Sequence, residues 1–279
     1  MAIHTYKRVE SAEEAVRCMA EQSGRARFLA GGTDLLTRET PEAVIDIRGL
    51  FGGVRIEGGE AAIGATATVT EIGESEELAR ADGGLLRSSA RLFAHWQIRN
   101  AATVGGNIVN AVPCADLVTP LLVLDARCVL VGPDGKSEEP LRDLFLGPKE
   151  SAVGDRLMTE VRFPVPKPGT RSAFLKIGVN DEGLAVINAA VLLEMDGDDC
   201  RLARLALNAV APTPLRIDDA EKLLAGGPIT EEKIEEAVRI AGGAIRPISD
   251  QRASAEYRSH MAGVLVRRVI RKALEGGEA

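Results

Sequence analysis

Two short stretches decide how this chain is read: Phe28-Leu-Ala-Gly-Gly-Thr-Asp-Leu-Leu36 and Thr103-Val-Gly-Gly-Asn107. In the first, Ala30, Gly31, Gly32, Thr33 and Asp34 follow an apolar run of strand length at 26–30 and open a helix-like stretch. A loop of this kind can hold a doubly charged pyrophosphate without Lys or Arg if successive backbone N–H groups converge and a helix N-terminus faces the anion. Glycine permits the close approach. Gly105 and Gly106, with the amide of Asn107 beside them, meet the same requirement. A Gly-Gly at a strand end is ordinarily a plain turn, so either loop alone is weak evidence and the pair is stronger. The spacing differs from the G-x-G-x-x-G fingerprint and no G-x-x-x-x-G-K-[ST] occurs, so neither standard nucleotide fold accounts for them.

Working outward from the first loop, Ser11 with Glu14 forms a capping-box pattern, and Ala15, Val16, Met19 and Ala20 give the stripe of a helix that Gly24 can end. Strands predicted at 26–30 and 43–47 on either side of the loop make a β-loop-α-β unit. From Val54 the pattern changes to a hairpin at 54–57 and 61–64, then helical signals at 68–80 and 84–94. After the second loop come a helix-like 117–126, a strand at 127–131, a Pro133-Asp-Gly turn and a strand at 157–163. The segment Pro164-Val-Pro-Lys-Pro-Gly169 reads as a domain boundary. Beyond it, strands at 172–178, 185–194 and 201–210 suggest an antiparallel meander, followed by helices at 216–225, 230–242 and 254–274.

Composition narrows the function. A chain of 279 residues with 45% apolar content is long enough for at least two domains. Lys plus Arg total 34 against 41 Asp plus Glu, a net charge of −7, which argues against a nucleic-acid partner. The N-terminal sequence has no apolar run of signal-peptide length and no stretch approaches a membrane span, so the expected location is the cytoplasm. Cys18, Cys114, Cys128 and Cys200 are scattered, so this chain alone offers neither a zinc site nor an iron–sulfur cluster. Aromatic residues are 3% and glycines number 29, which points to recognition by backbone more than by stacking.

Several ordered motifs carry a resemblance. The stretch from Phe28 to Leu36, Gln97-Ile-Arg-Asn-Ala-Ala-Thr-Val-Gly-Gly-Asn-Ile-Val-Asn-Ala111 and Ala115-Asp-Leu-Val-Thr-Pro-Leu-Leu-Val-Leu-Asp125 resemble the medium, FAD-binding subunit of the carbon monoxide dehydrogenase and xanthine dehydrogenase family of molybdenum hydroxylases. The likeness continues through Ala173-Phe-Leu-Lys-Ile-Gly178 and Asp250-Gln-Arg-Ala-Ser-Ala-Glu-Tyr-Arg258. It implies an α+β fold: a PCMH-type (vanillyl-alcohol-oxidase-like) FAD-binding domain over 1–168, in subdomains 1–53 and 54–168, then a CO dehydrogenase flavoprotein C-terminal-like antiparallel sheet-and-helix domain over 169–279. Carried over by position, Phe28, Leu29, Ala30, Gly31, Gly32, Thr33, Asp34, Leu35 and Leu36 would hold the pyrophosphate, joined by Thr103, Val104, Gly105, Gly106 and Asn107. Phe93 would flank the isoalloxazine ring, Asp116 would accept a hydrogen bond from the ribityl or ring region, Met158 would line the pocket, and Lys176 would lie near the pyrimidine edge.

A cation beside that edge makes physical sense, because reduction leaves negative charge near N1 of the flavin. Family members often carry an arginine shortly after the lysine, whereas this chain has Val179-Asn180-Asp181-Glu182, which bears on the acceptor. The resemblance implies an electron-transfer subunit: a molybdenum cofactor in a large subunit, [2Fe–2S] clusters in a small one, assembly as a dimer of heterotrimers, and a soluble acceptor or quinone downstream. The alternative is a free-standing FAD-dependent oxidase or dehydrogenase, for which no acid/base residue stands out. Other features have plainer readings. His95 and Trp96 are structural or flavin neighbours, Cys114 is packing, and Asp34 and Thr33 serve a helix start. Tyr257, Arg258 and the basic run Arg267, Arg268, Arg271 and Lys272 form a solvated face or a subunit contact.

Overall fold

The computed structural model describes residues 3–22, 24–38, 41–180 and 182–276. The first unit is a three-stranded parallel sheet, β1 (Thr5–Arg8), β2 (Ala26–Leu29) and β3 (Ala43–Asp46), in the order β1-β3-β2. Helix α1 (Ala12–Glu21) crosses between β1 and β2; Ser11 caps it by accepting from the Glu14 amide, and Ala15, Cys18 and Met19 face the core. The Glu14 carboxylate takes the amide of Glu10, not of Ser11, so the expected reciprocal box is shifted by one residue. After the Gly31-Gly32 loop the chain makes only one turn of helix, α2 (Leu35–Arg38). The macrodipole expected of a full helix is therefore largely missing there.

The second unit holds a five-stranded antiparallel sheet in the order β4-β5-β10-β6-β7, made of β4 (Val54–Glu57), β5 (Glu60–Gly64), β6 (Arg127–Gly132), β7 (Gly135–Pro140) and β10 (Leu157–Pro164). Between β7 and β10 lie a 3-10 turn (Leu141–Leu144) and the small hairpin β8 (Phe145–Gly147) with β9 (Glu150–Ser151). Helices α3 (Val69–Glu74), α4 (Glu76–Asp82), α5 (Leu85–Arg91), α6 (Trp96–Arg99), α7 (Val104–Val109) and α8 (Val118–Val123) supply the helical side of its core. The single helix predicted at 68–80 is two, because Ser75 leaves helical geometry with ψ 106° and its hydroxyl caps α4 at the Leu78 amide.

The third unit is the expected meander of β11 (Thr170–Gly178), β12 (Ala185–Asp196) and β13 (Asp199–Asn208), extended by β14 (Leu215–Arg216), with β15 (Gly227–Pro228) also on β13. Helices α9 (Asp218–Leu224), α10 (Glu231–Ala244) and α11 (Ala255–Leu274) cover one face. The register explains why 185–194 is an almost unbroken apolar run. Ala173, Val191 and Leu205 lie in one row and pack on those helices, while Phe174, Ala190 and Ala206 in the next row join the core of the second unit. Alternate side chains serve two interfaces, so both faces must be apolar. Among the described residues, no helix is long and apolar enough to cross a membrane.

Candidate FAD site

The first glycine loop packs tightly against the Ala101-Ala102 backbone that leads into the second. A Cβ placed on Gly31 would lie 2.0 Å from the carbonyl oxygen of Ala101, just ahead of the second loop. Gly32 has φ +70°, the left-handed region that glycine enters without penalty, and turns the chain out of β2. The amides of Gly31, Gly32 and Thr33 find no protein acceptor among the described residues.

The second loop differs from its expected role in one respect. Its amides do not converge on open space: Val104 donates to Ala67 O at 3.1 Å, Gly105 to Ala65 O at 2.9 Å, and Asn107 to Thr103 O at 2.9 Å. The Gly106 amide donates to the Thr103 hydroxyl at 3.1 Å, which makes Thr103 the N-cap of α7. Gly105 is small because Ala65 is pressed against it, with a Cβ meeting the Ala65 carbonyl at 2.8 Å. The loop thus buttresses the first one. What it offers a ligand is a side chain: the Oδ1 of Asn107 is buried with no hydrogen-bond partner, a condition that costs about 1–3 kcal/mol unless a bound group supplies a donor.

A second cluster gathers Phe93, Asp116 and Lys176. The Lys176 ammonium lies 2.6 Å from Asp116 Oδ2 and donates to Leu92 O at 2.7 Å, with side chains only 3% and 5% exposed. Asp116 Oδ1 accepts from Asn188 Nδ2 at 3.0 Å. Burial pushes the Asp116 carboxyl above the usual carboxylate range, while Lys176 and the Asn188 amide pull it back. Both of its oxygens thus already have a protein donor. Phe93 is half-buried against the central core, and Arg99 gathers the carbonyls of Phe93 at 3.0 Å and Ala94 at 2.6 Å. Ala94 itself is held at φ +36°, an unfavourable conformation stabilised by those contacts.

Met158 lies in β10, buried in the same core as Val104 and Ile108 beneath α7. Phe28 packs into the first unit, Leu29 is buried at the end of β2, and Leu35 and Leu36 form α2 with Leu36 exposed. His95 pairs with Gln97 at 2.8 Å, and Cys114 is buried as expected. Arg258 is neither solvated nor turned outward. It is 1% exposed and donates to Ala209 O at 3.1 Å, to Val186 O, and to Asp250 at 2.8 Å. Arg267 and Arg271 pair with Glu235 and Glu231 of α10, so part of the basic run ties two helices together. Asp181 lies outside the described residues. Two buried asparagines, Asn188 and Asn208, were not nominated from sequence, because a lone Asn in an apolar strand carries no motif.

Comparisons with known proteins define the class. Residues 2–166 match the family model of the FAD binding domain in molybdopterin dehydrogenase, and 172–273 match the CO dehydrogenase flavoprotein C-terminal domain. The carbon monoxide dehydrogenase medium chain of Afipia carboxidovorans is 37% identical over 96% of both chains. The xanthine dehydrogenase FAD-binding subunit of Escherichia coli O157:H7 is 31% identical, covering 97% of this chain and 96% of that one. In three dimensions, carbon monoxide dehydrogenase from Hydrogenophaga pseudoflava superimposes with a TM-score of 0.93 at 32% identity, covering 97% of each chain. The fold is therefore that of a flavoprotein subunit of a molybdopterin-dependent oxidoreductase. The chain belongs to the FAD-binding family of the carbon monoxide dehydrogenase and xanthine dehydrogenase group, and its cofactor is FAD.

Proposed function

We propose that this chain is the electron-transfer station of a molybdenum hydroxylase, receiving electrons from a molybdenum centre in a large subunit through [2Fe–2S] clusters in a small subunit and delivering them to a soluble acceptor or quinone. The observation that carries the reading is the combination of three amides, at Gly31, Gly32 and Thr33, that find no acceptor among the described residues with the buried Oδ1 of Asn107, which has no hydrogen-bond partner among them, where Gly31 packs against the Ala101-Ala102 backbone leading into the second loop. That arrangement suits the pyrophosphate and its neighbouring hydroxyls.

In this reading the stretch 28–36 forms the donor side and 103–107 the rigid support, with Phe93 beside the ring, Met158 beneath, and Lys176 at the pyrimidine edge. FAD supplies the redox chemistry by accepting electrons singly or in pairs. The chain binds and orients it. Two of the three N–H groups of Lys176 are taken by Asp116 and Leu92 O, which leaves the third for the ring. We place the division between domains at 168/169, with subdomains 1–53 and 54–168, and the working assembly as a cytoplasmic dimer of heterotrimers. The relatives' names, medium chain and FAD-binding subunit, support the division of labour.

The test uses the purified full chain. It should bind one FAD, remain oxidised under anaerobic incubation with purines, aldehydes and N-heterocycles, and become reducible when the large and small subunits are added with their substrate. Rapid reduction of the isolated chain by an organic substrate would show instead a free-standing dehydrogenase.

A further inference from the structure

Lys176, Asn188 and Asn208 occupy one row across three adjacent strands: Lys176 is the register partner of Asn188 in β11 and β12, and Asn188 that of Asn208 in β12 and β13. Direct partners share a sheet face. This row therefore points to the same side as Phe174, Ala190 and Ala206, toward the second unit. All three residues of the row end on two consecutive residues there. Asn208 Nδ2 donates to Ala115 O at 3.0 Å, Asn188 Nδ2 to Asp116 Oδ1 at 3.0 Å, and Lys176 Nζ to Asp116 Oδ2 at 2.6 Å. Asn188 is itself oriented, since its Oδ1 accepts from Thr119 Oγ1 at 2.5 Å, and Ser89 Oγ donates to the Asp116 carbonyl at 2.9 Å.

Fully buried asparagines on the face that also carries Phe174, Ala190 and Ala206 have a desolvation cost that simple packing does not require. We infer that Asn188 is a positioning residue that keeps Asp116 ionised against Lys176, and so sets how much positive charge the bound flavin feels. The inference rests on the reading above that Lys176 borders the flavin.

An ionised Asp116 makes the buried pair neutral overall; a protonated Asp116 leaves the Lys176 cation uncompensated. An amide hydrogen bond to the carboxylate favours the charged form. The other titratable groups nearby are Cys114, whose thiol burial pushes upward, and Arg252, which faces that thiol. Neither replaces Asn188, because neither donates to Asp116. Without the amide, Asp116 takes up a proton at higher pH, net charge beside the flavin becomes more positive, and reduction becomes easier.

The experiment measures the FAD midpoint potential of the full chain across pH 5–8 in the parent and in Lys176→Met, Asn188→Leu and Asn188→Asp. Asn188→Leu should move the potential positive, most at low pH, by an amount corresponding to about a tenfold change in the ratio of reduced to oxidised flavin, about 30 mV for a two-electron couple. Asn188→Asp has nearly the parent shape and guards against a leucine variant that does not fold. It should match the parent at low pH, where one of the two acids carries a proton, and move negative as pH rises. Lys176→Met should move the potential negative, since the ammonium nearest the ring is lost even where Asp116 takes up a proton in its absence. If Lys176→Met leaves the potential unchanged, the placement of Lys176 by the flavin fails, and the inference with it. If Lys176→Met shifts it while both Asn188 variants that bind FAD stay at the parental value throughout, the role of Asn188 alone is overturned.

Discussion

Gly31→Ala is a severe test of the packing between the first loop and the Ala101-Ala102 backbone. An added Cβ would lie 2.0 Å from Ala101 O and 2.7 Å from its carbonyl carbon, against an ordinary contact of 3.4 Å or more. The difference of about 1.4 Å must come from separating two backbones, since no flexible side chain stands in the way. Forcing a methyl group into a packed site costs about 1–3 kcal/mol. Loss within the folded apo-protein would lower Tm by roughly 2–4 °C per kcal/mol for a chain of this size class. If the strain is relieved by displacing the first loop, it falls instead on the cofactor, and 1–3 kcal/mol raises the Kd for FAD by about 5- to 150-fold. Flavin fluorescence titration and a thermal melt on the same preparation separate the two. Parental Kd together with parental Tm would refute the reasoning, because the methyl group would then have found room that the backbone contact denies it.

Asp82 is buried between α4 and α5, accepting from the amides of Gly84 at 2.8 Å and Leu86 at 2.9 Å, and burial pushes its carboxyl up to about 6. Its folded pKa lies above the unfolded value of 3.8, so the native state holds the proton more tightly. Stability from this group is fully present below pH 3.8 and is lost as pH rises to 6, by up to about 3 kcal/mol. Asp82→Asn should flatten that slope in urea melts between pH 4 and 6. Arg258→Ala removes a buried cation that bonds Asp250 and two carbonyls, and should cost about 3 kcal/mol or more by denaturant unfolding; Asp250 keeps Arg252 as a partner, which places the effect at the lower end. Thr103→Val deletes the α7 cap and should cost about 1 kcal/mol, with a small fall in Tm and a weaker effect on FAD than Gly31→Ala.

Much of the fold was legible where a local signal coincided with burial. Ser11 and the stripe through Ala15 and Met19 announced α1, and the turn Asp196-Gly197 announced the β12–β13 hairpin. Strands whose side chains stay in water were silent: Thr5-Tyr-Lys-Arg8 and Gly135-Lys-Ser-Glu-Glu-Pro140 show no apolar alternation because no core face demands one. Of the site, the glycines could be seen but their division of labour could not. Whether an amide is spent or unaccepted depends on residues as remote as Ala65 and Ala67, which only the tertiary fold brings to Gly105 and Val104. Asp116 and Lys176 are marked only by resemblance, and their contact at 2.6 Å depends on β11 of the third unit reaching the segment ahead of α8 in the second. Asn188 and Asn208 were invisible for the same reason.

The central claim, that the two loops together hold the FAD pyrophosphate, is tested most directly by a crystal structure of the full chain with FAD bound. Phosphate oxygens should lie within about 2.7–3.2 Å of the Gly31, Gly32 and Thr33 amides, with a flavin nucleotide donor or an ordered water on Asn107 Oδ1. A pyrophosphate seated elsewhere, with those amides and Asn107 still lacking partners, would contradict it.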